Sequence, residues 1–121
     1  MNQLRSITWV GSSKYQLVSF PEEVQKEIGF ALHLVQEGKM PHNSKPLKGL
    51  GSGVMEIVSD FDKCTFRAVY AVKIGEYIYV LHAFQKKSTI GIKTAKQDID
   101  LIKQRLLAAK NDANNRSRGV I

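Results

Sequence analysis

The fold of this chain is decided by residues 54–86, which have the sequence VMEIVSDFDKCTFRAVYAVKIGEYIYVLHAFQK. The segment is rich in Val, Ile, Tyr and Phe, which favour β-strands. Two polar breaks, Asp62-Lys63 and Gly75-Glu76, stand where tight turns are needed. We therefore predict three antiparallel strands joined by two hairpins, near residues 54–60, 65–74 and 77–86.

Upstream of this segment, the pattern predicts a short strand and two helices. The strand covers Ser6 to Val10, and a short helix follows and ends near Val18. Ser19 and Glu22 have the spacing of a capping box, and apolar residues at helical spacing follow them. Gly38 is a natural stop for this second helix. Two helices joined so tightly are expected to form a hairpin.

Downstream, Thr94 and Gln97 repeat the capping-box pattern before an amphipathic C-terminal helix. Residues 39–53, rich in Gly, Pro and Lys, are expected to form a loop. The order of elements predicts an α+β fold, with an N-terminal strand and helix hairpin, an antiparallel meander and a final helix. We expect a single domain over residues 1–110 and a polar flexible tail over residues 111–121.

The charge of the chain is strongly basic and unevenly distributed. It has 18 Lys and Arg against 11 Asp and Glu, a net charge of +7 and a pI of about 9.6. Residues 39–96 alone contain ten basic and four acidic side chains. Clustered Lys and Arg favour nucleic acid as a partner, although a generally basic surface is the alternative.

Cysteine usage and hydropathy indicate the compartment. Cys64 is the only cysteine, so no intramolecular disulfide can form, and a reducing compartment is expected. The N-terminus has no secretory apolar region, and no apolar run approaches the roughly 20 residues that span a membrane. We therefore expect a cytoplasmic protein that does not bind a membrane.

Motifs for metal, nucleotide or serine chemistry are missing from the sequence. The histidines (His33, His42 and His82) and Cys64 do not have metal-ligand spacing. The glycine-rich stretch 49–53 leads into a strand, whereas a phosphate loop leads into a helix. There is no G-x-S-x-G element. A mechanism without metal or cofactor is therefore favoured.

Two-residue turns would fix which side chains share a face of the sheet. Counting from the turns places Val58 and Phe84 opposite Arg67, and Glu56 and His82 opposite Val69. One face then carries Glu56, Val58, Arg67, Val69, His82, Phe84 and Lys86. The other face, expected to be the core face against the helices, carries Ile57, Phe66, Ala68, Tyr70, Val72, Tyr79, Leu81 and Ala83.

The first of these faces has the groups that RNA cleavage requires. A base removes the proton of a ribose 2′-hydroxyl, cations stabilise the phosphorane, and an acid protonates the leaving oxygen. Arg67 is the candidate phosphate clamp because its planar guanidinium matches phosphate oxygens. The acid and base could be Glu56, His82 or a lysine such as Lys86, and Phe84 could stack on a base.

Structural interpretations of the same residues stay open. Arg67 and Glu56 could form an ordinary cross-strand ion pair, and His82 could be a structural histidine. Phe84 could belong to the core. The remaining candidates could simply be solvated charges: Lys45, Lys48, Lys86 and Lys87.

Several segments, in order, resemble the phage-derived, HigB-like branch of the RelE toxin superfamily. They are KPLKGL from Lys45, VMEI from Val54, FRAVY from Phe66, YVLHAFQKKS from Tyr79, and the helix from Thr94 to Leu106. The resemblance covers roughly residues 4–109. The most specific part is HAFQKKS from His82, followed by Gly91-Ile-Lys-Thr and the final helix.

The resemblance implies a ribosome-dependent endoribonuclease that cleaves messenger RNA without a metal and is inhibited by an antitoxin, often a helix-turn-helix protein. By position, Arg67 corresponds to the basic residue of the family's middle strand. Lys45, Lys48, Lys86 and Lys87 correspond to further basic positions of the family. We take Lys86 as a catalytic candidate, and we expect the other three, together with Lys93, to contact RNA.

This sequence also departs from the best-known members of the superfamily. Those members carry arginines on the strand where Glu56 lies here, and often a tyrosine near the C-terminus, whereas no tyrosine follows Lys96. A non-catalytic module that binds RNA or a protein partner is therefore the alternative function. A subunit that only completes an antitoxin complex is a third.

Overall fold

The computed structural model of the chain describes residues 4–86 and 94–117. It confirms the α+β fold with an N-terminal strand and helices, a sheet and a C-terminal helix. The elements in chain order are β1 (Ile7–Trp9), α1 (Ser13–Val18), α2 (Glu22–Gln36), β2 (Ser44–Pro46), β3 (Val54–Phe61), β4 (Cys64–Ile74), β5 (Tyr77–Lys86) and α3 (Lys96–Ser117).

The strands form one five-stranded sheet in the order β1-β5-β4-β3-β2. β1 is parallel to β5, and the other neighbours are antiparallel. β2 lies within residues 39–53, so the prediction of a loop for that whole stretch was wrong. Lys45 pairs there with Glu56 of β3. Pro46 is tolerated in β2 because an edge strand has one unpaired side.

The predicted register of the meander is confirmed around the candidate site. Arg67 pairs with both Val58 and Phe84, and Val69 pairs with both Glu56 and His82. The first hairpin turn consists of Asp62 and Lys63, both with positive φ, at 50° and 65°. Two such residues match the twist of the strands that they connect, which fixes the register from the turn outward.

A β-bulge at Leu81 overturns one part of the predicted face assignment. Val69 pairs with His82 but Tyr70 pairs with Val80, which leaves Leu81 as an extra residue on β5. Side chains before the bulge therefore point to the opposite side from the one counted. Tyr79 and Leu81 pack with α3, on the face that also carries His82.

Helices cover both faces of the sheet, whereas we expected them on one. α1 and α2 pack on the face that includes Ile57, Phe66, Ala68 and Tyr70. α3 packs on the other face, where Ile102, Leu106 and Ala109 contact a cluster that includes Val69, Tyr79 and Leu81. α3 therefore shares a face with Glu56, Arg67 and His82, and it covers part of it.

The predicted capping box at the start of α2 does not form. Pro21 is the N-cap residue, and no side chain caps the helix. The Ser19 hydroxyl donates instead to the carbonyl of Gln16 at 2.6 Å, closing the end of α1. The Gln25 amide donates to the Phe20 carbonyl at 2.8 Å and stabilises the same junction.

The C-terminal helix is longer than predicted. α3 continues to Ser117, so residues 111–117 are helical and not the flexible tail that we expected. Ala113 is buried, and the Tyr79 hydroxyl donates to Asp112 at 2.8 Å. Over the described ranges, no helix combines the length and the hydropathy needed to cross a bilayer.

Candidate functional site

A buried ion pair lies at the centre of the candidate site. Arg67 Nη1 donates to Glu56 Oε1 at 2.8 Å, and the two residues are 5% and 2% exposed. The other carboxylate oxygen of Glu56 is buried and accepts no hydrogen bond from a described residue. Removing two charges from water is costly, so such a pair keeps its place only when each partner compensates the other.

Two lysines surround this pair. Lys45 lies opposite Glu56 on the edge strand, with Nζ 3.6 Å from Glu56 Oε1 and a side chain that is 54% exposed. Lys86 lies at the end of β5. Partial burial and then the positive charges of Arg67 and Lys45 lower the pKa of its ammonium, although Glu56 opposes the shift.

We call Lys45, Glu56, Arg67 and Lys86 the basic cluster. Three cations around a single carboxylate leave an excess of positive charge. Phosphate oxygens are the ligands that such a set of donors prefers. The cluster therefore carries a net positive charge next to an edge strand of the sheet.

His82 is held apart from the basic cluster by contacts with α3. Its Nε2 lies 2.7 Å from Asp98 Oδ1, and its Nδ1 lies 3.4 Å from Arg105 Nη1. A guanidinium can only donate, so we assign Nδ1 as the acceptor and Nε2–H as the donor to Asp98. Both ring nitrogens are engaged, and His82 joins the sheet to the start of α3.

Arg105 also connects α3 to the N-terminal part of the chain. Its Nη1 donates to the Leu81 carbonyl at 2.9 Å, and its Nη2 donates to the Ser12 hydroxyl at 3.0 Å. The guanidinium lies directly over Gly11, where an added Cβ would be 2.7 Å from Nε. Leu81, the extra residue at the bulge, therefore supplies the carbonyl that holds the Arg105 guanidinium over Gly11.

Asp98 and Arg105 were not predicted from the sequence as site residues. One signal was available, because Asp98, Ile102 and Arg105 follow the spacing that places side chains on one face of a helix. Ile102 is completely buried against the sheet. Asp98 and Arg105, on either side of Ile102, were therefore candidates for contacts with the sheet.

Phe84 lies between His82 and the basic cluster. Its ring stacks on His82 with centroids 4.8 Å apart and an interplanar angle of 18°. It is half-buried and lies directly across from Arg67. One surface of the ring is therefore covered by the imidazole, and its position is tied to that of the imidazole.

The remaining predicted residues are not part of the basic cluster as described. Lys48 is exposed in the turn after β2 and makes no hydrogen bond or ion pair with another described residue. Lys87 and Lys93 lie outside the described residues. Within residues 4–86 and 94–117, no three His, Cys, Asp or Glu side chains are placed to hold a metal ion.

The fold and the basic cluster define a small α+β protein with a RelE-like architecture. The chain belongs to the family described as "Phage derived protein Gp49-like (DUF891)", whose model matches residues 15–107. This is a RelE- and toxin-like family, associated with the toxins of toxin–antitoxin pairs. Comparisons with curated proteins and with solved structures gave no match.

Proposed function

We propose that this protein is a HigB-like toxin that cleaves messenger RNA on the ribosome and is inhibited by an antitoxin. The observation that carries the proposal is the basic cluster, in which Lys45, Arg67 and Lys86 surround Glu56 beside the ring of Phe84. Its site of action would be the cytoplasm, where messages are translated.

In the proposed reaction, a ribose 2′-oxygen attacks the adjacent phosphorus and the bond to the 5′-oxygen breaks. Arg67 and Lys45 stabilise the phosphorane charge. Lys86, whose pKa is lowered, donates the proton to the leaving 5′-oxygen. Glu56 accepts the 2′-hydroxyl proton after the exposed Lys45 side chain moves aside. The products are a 2′,3′-cyclic phosphate and a 5′-hydroxyl.

The aromatic and lysine candidates that take no part in this reaction are assigned to RNA binding. Phe84 stacks on a base next to the cleaved bond. Lys48, Lys87 and Lys93 contact the RNA backbone, because flexible lysines outside a site bind phosphates as point charges. The antitoxin, a helix-turn-helix protein, inhibits by covering the basic cluster with acidic residues, so the complex should weaken as salt increases.

A translation reaction with added protein tests the proposal, with the 5′ ends of the message mapped. Cuts within codons that need ribosomes are expected, and Lys86→Met should abolish them. Lys26→Met is the matched control, because Lys26 is exposed on α2 and pairs only with Glu22 among described residues. Intact messages with wild-type protein, or equal loss in both variants, would contradict the proposal.

A second candidate function is non-catalytic RNA binding, favoured by one observation. Arg67 and Glu56 are almost completely buried and compensate each other, as in a structural ion pair. A binding module would retain RNA affinity that depends on Lys45 and Lys86 but would produce no new 5′ ends. The same translation reaction, combined with RNA-binding measurements, separates the two functions.

A further inference from the structure

Two side-chain contacts and one cross-strand pair lead from the first turn of α3 to the basic cluster. Asp98 accepts from His82 Nε2 at 2.7 Å, and the imidazole stacks on Phe84 at 4.8 Å. Phe84 in turn lies across from Arg67. Asp98, His82, Phe84 and Arg67 therefore follow one another along one face of the sheet.

The hydrogen bonds of His82 suit it to hold its own ring in one orientation. Nδ1 faces Arg105, which always donates, and Nε2 faces a carboxylate, which always accepts. Only one neutral tautomer satisfies both partners. The same arrangement keeps a ring in one orientation in metal and catalytic sites, where a carboxylate fixes the tautomer of a neighbouring histidine.

We infer that Asp98 is a positioning residue for RNA cleavage, acting through His82 to hold the Phe84 ring beside Arg67. The inference rests on the proposed function and adds to it a residue on α3 that touches no substrate. Reactions that depend on orientation lose up to about a hundredfold in rate when a group is displaced by about 1 Å. Releasing His82 should therefore slow cleavage without changing how tightly the ribosome-bound message is held.

The first experiment compares variants of Asp98 in the ribosome cleavage assay. Asp98→Ala removes the acceptor, and we expect kcat to fall about tenfold with KM nearly unchanged. Asp98→Asn keeps an acceptor oxygen but loses the charge, and it should recover most of the rate. Asp100→Ala is the matched control, because Asp100 is exposed on the same helix. Equal losses in the Ala and Asn variants would indicate a charge effect at the helix N-terminus and overturn the inference.

The second experiment asks whether Asp98 acts through Phe84. In a Phe84→Leu background, the ring that Asp98 positions is gone, so Asp98→Ala should have no further effect. An undiminished tenfold loss in that background would overturn the inference. A merely structural role of Asp98 would give independent, additive effects.

A spectroscopic measurement keeps this inference separate from the proposed function. Nuclear Overhauser effects between the two rings should show His82 on Phe84 in the wild-type protein and in Asp98→Asn, and they should weaken in Asp98→Ala. If the wild-type protein does not cleave, the proposed function is wrong, and this measurement still reports whether Asp98 holds the two rings together. Unchanged ring contacts in Asp98→Ala would overturn the inference.

Discussion

Arg67 Nη1 donates to Glu56 Oε1 at 2.8 Å, and this contact joins two neighbouring strands inside the sheet. Arg67, the candidate phosphate ligand, is therefore also part of the buried interior of the sheet. Changes at this position are therefore expected to affect folding as well as the proposed activity. The lysines of the basic cluster are better probes of activity, because Lys45 is 54% exposed.

Breaking the buried pair is expected to destabilise the protein strongly. Arg67→Ala or Glu56→Ala removes the partner at 2.8 Å from a buried charge, which costs about 3–5 kcal/mol of the free energy of unfolding. Replacing both residues by Met should cost far less, because two apolar side chains need no compensation. Urea denaturation of the three variants measures these differences. Single variants that lose less than about 1 kcal/mol would show that the pair is solvated.

Lys45→Met separates RNA binding from stability. Lys45 is 54% exposed and Glu56 keeps Arg67 at 2.8 Å, so the free energy of unfolding should change by only about 0–1 kcal/mol. If Lys45 contacts a phosphate, the slope of log K against log salt should decrease in magnitude by about 0.7 for a single-stranded RNA. Binding titrations at several salt concentrations test this, with Lys26→Met as the control that should leave the slope unchanged.

Gly11→Ala tests the contact between Arg105 and the N-terminal part of the chain. Gly11 has φ +57°, and an added Cβ would lie 2.7 Å from Arg105 Nε. The variant should lose about 1–2 kcal/mol from the left-handed backbone alone and more from displacing the guanidinium. Gly38→Ala is the control, since Gly38 has φ +83° but no atom within 4 Å of the added Cβ. Equal losses in the two variants would mean that Arg105 moves aside without cost.

The stability of the protein should fall at high pH through Tyr79. Burial, then the hydrogen bond to Asp112 and its charge, raise the pKa of Tyr79 from 10.0 to about 12. The folded state therefore holds the phenolic proton more tightly than the unfolded state. This contribution is complete below pH 10.0 and is lost as pH rises toward about 12. Denaturation across that range should show a smaller decline for Tyr79→Phe than for the wild type.

The last turns of α3 should contribute to stability. Ala113 is buried, Asp112 accepts from Tyr79, and the Arg116 guanidinium lies 4.2 Å from the centre of the Tyr77 ring. A chain ending at Lys110 should therefore melt at a lower temperature than a chain ending at Ser117. Identical melting temperatures would show that these contacts add nothing. Calorimetry of the two chains makes the comparison.

The register of the meander could be predicted because local chemistry determines it. Asp62 and Lys63 define a two-residue turn, and counting from that turn pairs Arg67 with Val58 and Val69 with Glu56, as observed. The count from the Gly75-Glu76 turn pairs Arg67 with Phe84, which is also observed, although two register shifts lie between that turn and this pair. The same count failed at Tyr79, because the bulge that reverses the alternation of β5 has no residue signature in this sequence. A bulge is selected by the packing of the whole sheet, which a count along one strand does not contain.

The partners of the candidate residues were harder to predict than the residues themselves. Ion pairing of Glu56 with Arg67 was foreseen as an alternative, because both lie on one face of adjacent strands. The pairing of His82 with Asp98 depends on which face α3 covers, and we expected the opposite face. The sequence of an amphipathic helix identifies the side of the helix that is buried. It does not identify the face of the sheet on which the helix packs.

The parallel pairing of β1 with β5 has a consequence for how the chain is made. Residues 7–9 pair with residues 78–80, so β1 must wait until β5 has left the ribosome. α3, which covers the other face, is synthesised later still. Non-local pairings of this kind form slowly and only once both segments exist. A growing chain therefore assembles the complete sheet only after residues 78–80 have left the ribosome.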